Sequence, residues 1–260
     1  MASWDIFAAE LKHAIGREGC PLCRIVGEAE DRYLFFFIHE HMNSLATHEM
    51  LAQGGRLCHR HSWLVIDRAT RETGLLGTAV FYDHLTRLLA DDLRRALEAS
   101  RGKPGLLDRL PLRVLRRKKP DGGCKKAEGE HKKADGVSPE FCWICRSLAG
   151  TEDIFLRYLC QYLEDNAGLK DAYAESDGLC IPHLKAAFAS ASPAVGSFLL
   201  DKAVSDLERL ESQLQEYQRK NDYRFRHEPW GDEKASPERM VRLSVGPRNA
   251  PVLPRKGRKD

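Results

Sequence analysis

The sequence contains the same pattern of cysteine and histidine residues twice. Each copy is a Cys-x2-Cys pair followed, after a gap of 34 residues, by a Cys-x2-His pair. The two copies are Cys20, Cys23, Cys58 and His61, and Cys142, Cys145, Cys180 and His183. Three thiolates and one imidazole form a closed tetrahedral ligand set for zinc. The pattern therefore predicts two zinc ions per chain, each held by three cysteines and one histidine.

Other interpretations of these cysteines have less support. Buried, reduced cysteines are common in protein cores, but they do not come in pairs with this spacing and a histidine. Disulfides are typical of oxidising compartments, and the N-terminal residues do not resemble a secretory leader. An iron–sulfur cluster is the alternative cofactor, because sets of three cysteines and one histidine can also hold a cluster.

The expected role of a closed zinc site is structural. Four protein ligands leave no coordination position for water, which argues against hydrolytic catalysis. The chain also lacks a P-loop, a G-x-G-x-x-G motif and a G-x-S-x-G motif. We therefore predict no catalytic residues and a non-enzymatic adaptor or regulatory protein. The alternative function is a thiol-based redox or metal sensor, since oxidation of a Cys-x2-Cys pair would eject the metal.

Charged residues beside the ligands suit such sites. Zinc with three thiolates and a neutral imidazole carries a net charge of about −1. The basic residues that could offset this charge are Arg24, Arg60, Arg146 and Lys185. Arg24 and Arg146 follow the second cysteine in both copies, a position from which they could support the ligands.

The similarity between the copies extends beyond the ligands. Residues 20–98 align with residues 142–220 without a gap, and 15 of the 79 positions are identical. Unrelated sequences would match at roughly one position in sixteen to twenty, so we infer an internal duplication. Two acidic residues also recur, as Glu30 and Asp31 and as Glu152 and Asp153. We expect these acids to lie near helix starts, where they would complement the helix dipole.

Hydrophobic periodicity predicts an all-α fold. Apolar residues recur every three or four positions, and no strand pattern of any length occurs. The predicted helices cover about residues 3–15, 26–42, 45–51, 58–68, 75–99 and 152–165, and two more begin near residues 180 and 193. We therefore expect two tandem homologous helical modules, each held together by one Cys3His metal site.

Composition divides the chain into four segments. The predicted modules are residues 1–100 and 140–222. Residues 101–139 form a basic linker rich in Gly, Pro, Lys and Arg, which also contains Cys124. Residues 223–260 form a tail rich in proline and arginine, and we expect both of these segments to be disordered.

The spacing does not determine which ligand pairs share an ion. Each Cys-x2-Cys pair could combine with the Cys-x2-His pair of its own copy or with that of the other copy. The identical gap fits both arrangements. We favour pairing within a copy, because it closes the shorter loop at the lower entropy cost.

The expected partner is another protein. Nucleic acid is a weaker alternative, because aromatic residues do not alternate with the basic runs of the linker and tail. The apolar stretch 34–38 is too short to cross a bilayer, so we expect no membrane association and a cytoplasmic location. The helix over residues 195–217 carries a heptad seam that could form a homodimer, although packing within its own module is the favoured interpretation.

The duplicated pattern in an all-helical chain resembles a family of bacterial proteins known only as a domain of unknown function. The residues that carry the resemblance are Cys20-Pro21-Leu22-Cys23, Leu57-Cys58-His59-Arg60-His61, Phe141-Cys142-Trp143-Ile144-Cys145 and Leu179-Cys180-Ile181-Pro182-His183. The resemblance covers about residues 15–220. It implies metal binding and a bacterial source, and it implies no activity.

Overall fold

The computed structural model describes residues 6–100 and 142–250, which are folded into α-helices. The predicted linker with Cys124 lies outside the described residues, as do residues 251–260. Within the described ranges there is no β-strand, and no helix has the length and apolar composition needed to cross a membrane. The prediction of an all-α fold is therefore confirmed.

The described helices are α1 (Ile6–Ile15), α2 (Pro21–Phe36), α3 (Leu45–Ala52), α4 (His59–Glu72), α5 (Leu76–Ser100), α6 (Trp143–Asp165), α7 (Ala167–Glu175), α8 (Ile181–Phe188), α9 (Pro193–Lys220) and α10 (Ser236–Val245). A π-helical turn, Phe37–His41, continues α2, and a 3-10 turn, Asp232–Ala235, precedes α10.

Side-chain caps fix the starts of three helices. Ser44, Asn166 and Ser192 precede α3, α7 and α9. In each case the side-chain oxygen accepts a hydrogen bond from the backbone N–H three residues later, at 3.3, 3.1 and 3.4 Å. Such caps satisfy N–H groups that have no partner within the first helical turn. Helix α7 is absent from the sequence prediction, although Asn166 is the signal that marks its start.

Helices α2 and α6 begin earlier than the sequence predicts. The expected starts were near residues 26 and 152, whereas the helices begin at Pro21 and Trp143. In both, the Cys-x2-Cys pair forms the first helical turn instead of a separate turn ahead of the helix. Proline suits the first position of α2, because no helical hydrogen bond requires its missing N–H there.

The segment after α9 is folded over residues 223–250, so the prediction of a disordered tail is wrong for this part. Helix α10 contacts both α8 and α9. Two ion pairs join the end of α9 to the segment: Arg219 with Glu228, and Lys220 Nζ with Glu233 Oε1 at 2.7 Å. The hydrogen bond from Lys220 lowers the pKa of Glu233 to about 2. These pairs order a stretch whose prolines suggest disorder in the sequence.

Contacts divide the chain into two compact units, and each unit combines segments from both repeat copies. Among the described residues, unit 1 consists of residues 6–30 and 148–250, and unit 2 consists of residues 31–100 and 142–147. The boundaries fall inside α2 and α6. The expected tandem modules are therefore not confirmed. Each copy contributes its start to one unit and most of its remaining length to the other.

The core of unit 1 is formed by α1, the first half of α2, and α6 to α9. Its buried side chains include Leu11, Leu22, Ile25, Leu159, Leu163 and Leu199. Phe7 extends this core, since its ring stacks on Tyr158 with the centroids 4.3 Å apart. On α9, Leu199 is 0% exposed and Leu200 is 41% exposed. Leu200, which lies in the helix predicted to carry a heptad seam, therefore faces away from this core.

Unit 2 packs around aromatic side chains from three helical segments. The ring centroid of Phe37 lies 5.7 Å from that of Phe81 and 5.8 Å from that of Trp143. Val65 of α4 is fully buried. Arg68 also anchors α4, because it donates to the backbone carbonyl of Asp31 at 2.9 Å. This packing positions the start of α4 and the start of α6, which both carry predicted metal ligands.

Candidate metal centres

The eight predicted ligands come together in two clusters. Site 1 consists of Cys20, Cys23, Cys180 and His183, and site 2 consists of Cys58, His61, Cys142 and Cys145. Site 1 lies in unit 1 and site 2 in unit 2. Within each site the four ligand atoms lie within 4.8 Å of one another. The pairing favoured from the sequence is wrong, because the Cys-x2-Cys pair of each copy meets the Cys-x2-His pair of the other copy.

Every ligand pair occupies the start of a helix in the same way. The first residue of the pair precedes the helix and the second lies in the first turn, at α2, α4, α6 and α8. In each case the carbonyl of the first residue accepts a hydrogen bond from the N–H four residues later, at 2.8–3.2 Å. The x2 spacing places the two ligands on the same side of that turn.

The distances within each site match a single tetrahedral ion. Nδ1 of His183 lies 3.1–3.4 Å from the three sulfurs of site 1, and Nδ1 of His61 lies 3.2–3.3 Å from those of site 2. In each site two of the sulfurs are 3.6 Å apart. Tetrahedral zinc, with its usual bond lengths, requires about 3.8 Å between sulfurs and about 3.6 Å between sulfur and nitrogen. Each donor set therefore fits one zinc-sized ion.

Helix dipoles favour negative charge at both sites. Site 1 lies at the N-termini of α2 and α8, and site 2 lies at those of α4 and α6. A helix N-terminus carries roughly half a positive charge on its unpaired N–H groups. Two such ends stabilise the thiolates and the net charge of about −1 that a bound zinc ion would leave.

The ionisation of site 1 shows how the donor set behaves without a metal. Burial would raise the pKa of the Cys20 thiol, but hydrogen bonds with Cys180, Cys23 and His183 hold that pKa well below its usual value. The pKa of Cys23 is raised, because its thiol is hydrogen-bonded to the sulfurs of Cys180 and Cys20. Burial would lower the pKa of His183, but hydrogen bonds with Cys180, Cys20 and Glu152 raise it to about 11. A divalent cation would replace the protons of Cys23 and His183, which surround the thiolate of Cys20.

Site 2 shows the same division of roles. The pKa of Cys58 is well below its usual value, because Cys142 and Cys145 form hydrogen bonds to its sulfur. The pKa of Cys145 is raised by its hydrogen bonds with Cys142 and Cys58. Each site therefore offers a cation one ready thiolate, Cys20 or Cys58, and one thiol that must lose its proton on binding, Cys23 or Cys145.

A buried carboxylate holds the imidazole of His183. Nε2 of His183 lies 2.8 Å from Oε1 of Glu152, and these side chains are 9% and 7% exposed. A hydrogen bond at Nε2 leaves Nδ1 for the metal and fixes the orientation of the ring. Glu152 is the tenth residue of α6, so the predicted role beside a helix start is wrong for it. Its counterpart Glu30 is the tenth residue of α2 and is 6% exposed.

Arg24 is one of the basic residues predicted to support the sites. It lines the same cavity as Cys20 and Cys23 of site 1. Its terminal nitrogen donates to the backbone carbonyl of Glu18, and its Nε is buried. Arg146 is exposed, as is Lys185.

Cys160 belongs to neither site. It lies in the core of unit 1, where burial raises the pKa of its thiol. Its sulfur lies 3.7 Å from the carbonyl oxygen of Ala187. Cys160 is therefore a packing residue and a suitable control for experiments on the ligand cysteines.

Comparison with known proteins identifies a family whose function is unknown. The matching family model covers residues 5–250 and is described as a family of unknown function, DUF6062. A protein of Caldicellulosiruptor sp. (strain Rt8B.4), described as an "uncharacterized 23.9 kDa protein in xynA 3'region", is 24% identical over 210 residues. That alignment covers 80% of this chain and 85% of the relative. No solved structure matches the chain. The resemblance noted from the sequence is confirmed, and the chain belongs to the DUF6062 family.

Proposed function

We propose that the protein is a zinc-binding, non-enzymatic adaptor or regulatory protein in which two zinc ions fix the starts of four helices. The observation that carries this proposal is that three sulfurs and one imidazole nitrogen lie within 4.8 Å of one another at each of two sites. Four protein ligands saturate a zinc ion and leave no position for water or substrate. The ions would therefore hold the chain in shape, and activity would lie on the protein surface.

The ligand spacing favours a single ion over an iron–sulfur cluster. The cysteines of a cluster bind different iron atoms, so their sulfurs spread around an inorganic core. Here the histidine nitrogens lie 3.1–3.4 Å from every sulfur of their sites, which leaves room for one ion. Thiolates and imidazole together are ligands that zinc prefers. The iron–sulfur alternative is tested directly by the experiment below.

Metal binding would contribute a large share of the stability. Site 1 joins residues 157 apart in the sequence, Cys23 and Cys180, and site 2 joins residues 87 apart, Cys58 and Cys145. A structural zinc ion contributes on the order of 10 kcal/mol of folding free energy. That is as large as the whole free energy of unfolding of a typical domain. We therefore expect removal of the metal to loosen both units.

The proposed partner is another protein, because closed metal sites leave the surface to carry the activity. One form of this proposal is a homodimer, in which two copies of the chain contact each other through residues 195–217. Light scattering after gel filtration, over a range of concentrations, tests that form directly. A monomer at every concentration would exclude the homodimer and leave a different protein as the partner.

The proposal is tested by the metal content of protein purified without oxygen. We expect two zinc ions per chain by inductively coupled plasma mass spectrometry and no visible absorbance. A C124S/C160S variant is the matched control, because it removes both cysteines outside the ligand sets and should keep both ions. A strong chelator should lower the helical signal in circular dichroism. Iron with sulfide would favour the cluster, and protein without metal would refute the proposal.

A further inference from the structure

The two sites share their donor atoms and their helix-start geometry, but they differ in access. Among the eight ligands, Cys20 alone is partly exposed. The other seven are between 0% and 7% exposed, and His61 and Cys142 of site 2 are both at 0%. A reagent from solution therefore reaches site 1 more easily than site 2.

The exposed side of site 1 borders a cavity of about 360 Å³. Cys20, Cys23 and Cys180 all line it. Gly246 lies beside this part of site 1, since a Cβ at this position would lie 3.4 Å from the sulfur of Cys23. Its φ of +90° also disfavours any other residue. The cavity is large enough for hydrogen peroxide, which is little larger than water, to reach three of the four ligands.

Four arginines and three acidic residues line the same cavity. The arginines are Arg24, Arg209, Arg239 and Arg242, and the acids are Glu18, Asp177 and Asp206. The buried Nε of Arg24 has no hydrogen-bond partner among the described residues. Arg242 is held by Glu18 at 3.1 Å, and Arg239 by Gln213 at 3.1 Å. Guanidinium groups stabilise the negative charge that develops on an oxygen atom when a peroxide bond breaks.

We propose that site 1 is a peroxide-sensitive zinc–thiolate centre, in which Cys20 is oxidised first and Cys23 completes a disulfide. This inference rests on the proposed function, because it requires zinc at both sites. The sulfur of Cys20 attacks one oxygen of hydrogen peroxide. The sulfur–oxygen bond forms, the oxygen–oxygen bond breaks, and the departing hydroxide takes a proton to become water. Cys20 is left as a sulfenic acid.

The sulfur of Cys23 then attacks the sulfur of Cys20. The disulfide bond forms, the sulfur–oxygen bond breaks, and the second hydroxide takes a proton to become water. Two thiolates, one hydrogen peroxide and two protons thus give one disulfide and two waters. The sulfurs lose two electrons, the peroxide oxygens gain them, and zinc keeps its oxidation state. With Cys20 and Cys23 joined in a disulfide, only Cys180 and His183 would remain to hold zinc at site 1, and the ion would be released.

Site 2 is an internal control with the same chemistry and less access. Its Cys-x2-Cys pair, Cys142 and Cys145, also occupies a helix start, but these residues are 0% and 3% exposed. Oxidation should therefore release the ion of unit 1 and leave the ion of unit 2 in place. Selective loss of the ion at site 1 would give the adaptor a response to peroxide that is confined to unit 1.

The test uses the full chain loaded with zinc and treated with hydrogen peroxide. The zinc content is measured first. Absence of zinc would refute the proposed function, whereas the later release measurement tests this inference alone. A chromogenic chelator then follows zinc release. We expect one ion per chain to leave roughly tenfold or more faster than the other, because susceptibility follows exposure. Peptide mass spectrometry should find the Cys20–Cys23 disulfide at the end of the fast phase, and reductant with zinc should restore the site.

Two tryptophan variants on α10 test the cavity as the route. Leu243 lines the cavity, and L243W should slow the fast phase without changing the slow phase. Val241 is 57% exposed on the same helix and does not line the cavity, so V241W should change neither phase. The wild-type chain alone can overturn the proposal. It would do so if both sites released zinc at the same rate, or if site 2 released it faster. A fast phase unchanged in L243W would overturn the route, and a disulfide from Cys20 to Cys180 would overturn the assignment of Cys23.

Discussion

The exchange of ligand pairs between the repeat copies predicts the zinc content of double variants. C23S/C180S removes two ligands from site 1 and none from site 2, so it should keep one zinc ion per chain. C23S/C58S removes one ligand from each site and should keep none. Pairing within a copy gives the opposite result for the same two proteins. Serine preserves the size of cysteine but replaces the thiolate with a poor zinc ligand.

The expected losses are large enough for a clear result. A structural site binds zinc with roughly 10–16 kcal/mol, or about 2.5–4 kcal/mol for each of four ligands. Loss of one ligand should therefore weaken binding by roughly 100- to 1,000-fold, and loss of two by the square of that factor. A chelator of intermediate affinity then strips zinc from a site with three ligands and leaves it in a complete site.

The assay is mass spectrometry of zinc after equilibration with this chelator and gel filtration. The C124S/C160S variant controls for the effect of removing two cysteines. Cadmium-substituted wild-type protein gives a second measurement, because NMR correlations connect each ion to the β-protons of its own cysteines. Correlations from one ion to Cys20, Cys23 and Cys58 would refute the exchange of pairs, as would one zinc ion in C23S/C58S and none in C23S/C180S.

Three further predictions concern site 1 and the core of unit 1. E152Q should weaken zinc binding at site 1 by roughly 10- to 100-fold, because it removes the charge that orients His183; site 2 should be unaffected in a competition titration with a chelating dye. The pKa values of Cys23 and His183 are raised, so both are protonated at neutral pH without metal, and zinc binding must release at least two protons. Zinc affinity should then fall by about 100-fold for each pH unit of acidification below pH 7. Calorimetry in buffers of different ionisation enthalpy should detect the released protons. Release of fewer than two protons would contradict the ionisation described above. L199A should lower the free energy of unfolding in urea by about 2–5 kcal/mol, because Leu199 is fully buried. L200A, at the partly exposed neighbouring position, should lower it much less. Equal effects would contradict the burial of Leu199 in the core of unit 1.

The sequence was sufficient for the ligand types and for the helical fold, but not for the pairing of ligands. Both arrangements use the same residues at the same spacing. The loop argument favours the pair 35 residues apart over the pair 157 apart by only about 1 kcal/mol at site 1. Burial of a single leucine outweighs that difference. Pairing is therefore decided by the packing of α1 and α2 against α6 to α9, which involves residues too distant in sequence for periodicity to connect.

The role of Glu152 was missed because the start of α6 was misplaced. With the helix starting at residue 152, a glutamate there would lie at the positive end of the dipole. With the actual start at Trp143, Glu152 follows Leu148 by four residues and precedes Phe155 by three, so it lies on the buried face of the helix. A carboxylate on such a face requires a partner, and its recurrence as Glu30 was the available signal.

The exchange of ligand pairs determines which parts of the chain an ion at each site would hold together. Neither copy closes a metal site by itself, because each Cys-x2-Cys helix start meets a Cys-x2-His helix start from the other copy. An ion at either site would therefore join two distant stretches of the chain inside one unit. The donor atoms and helix starts are the same at both sites, so a difference in reactivity must come from the residues around the sulfurs. At site 1 those residues leave Cys20 partly exposed beside a cavity, and oxidation there would separate the start of α2 from the start of α8 while the link between α4 and α6 persists.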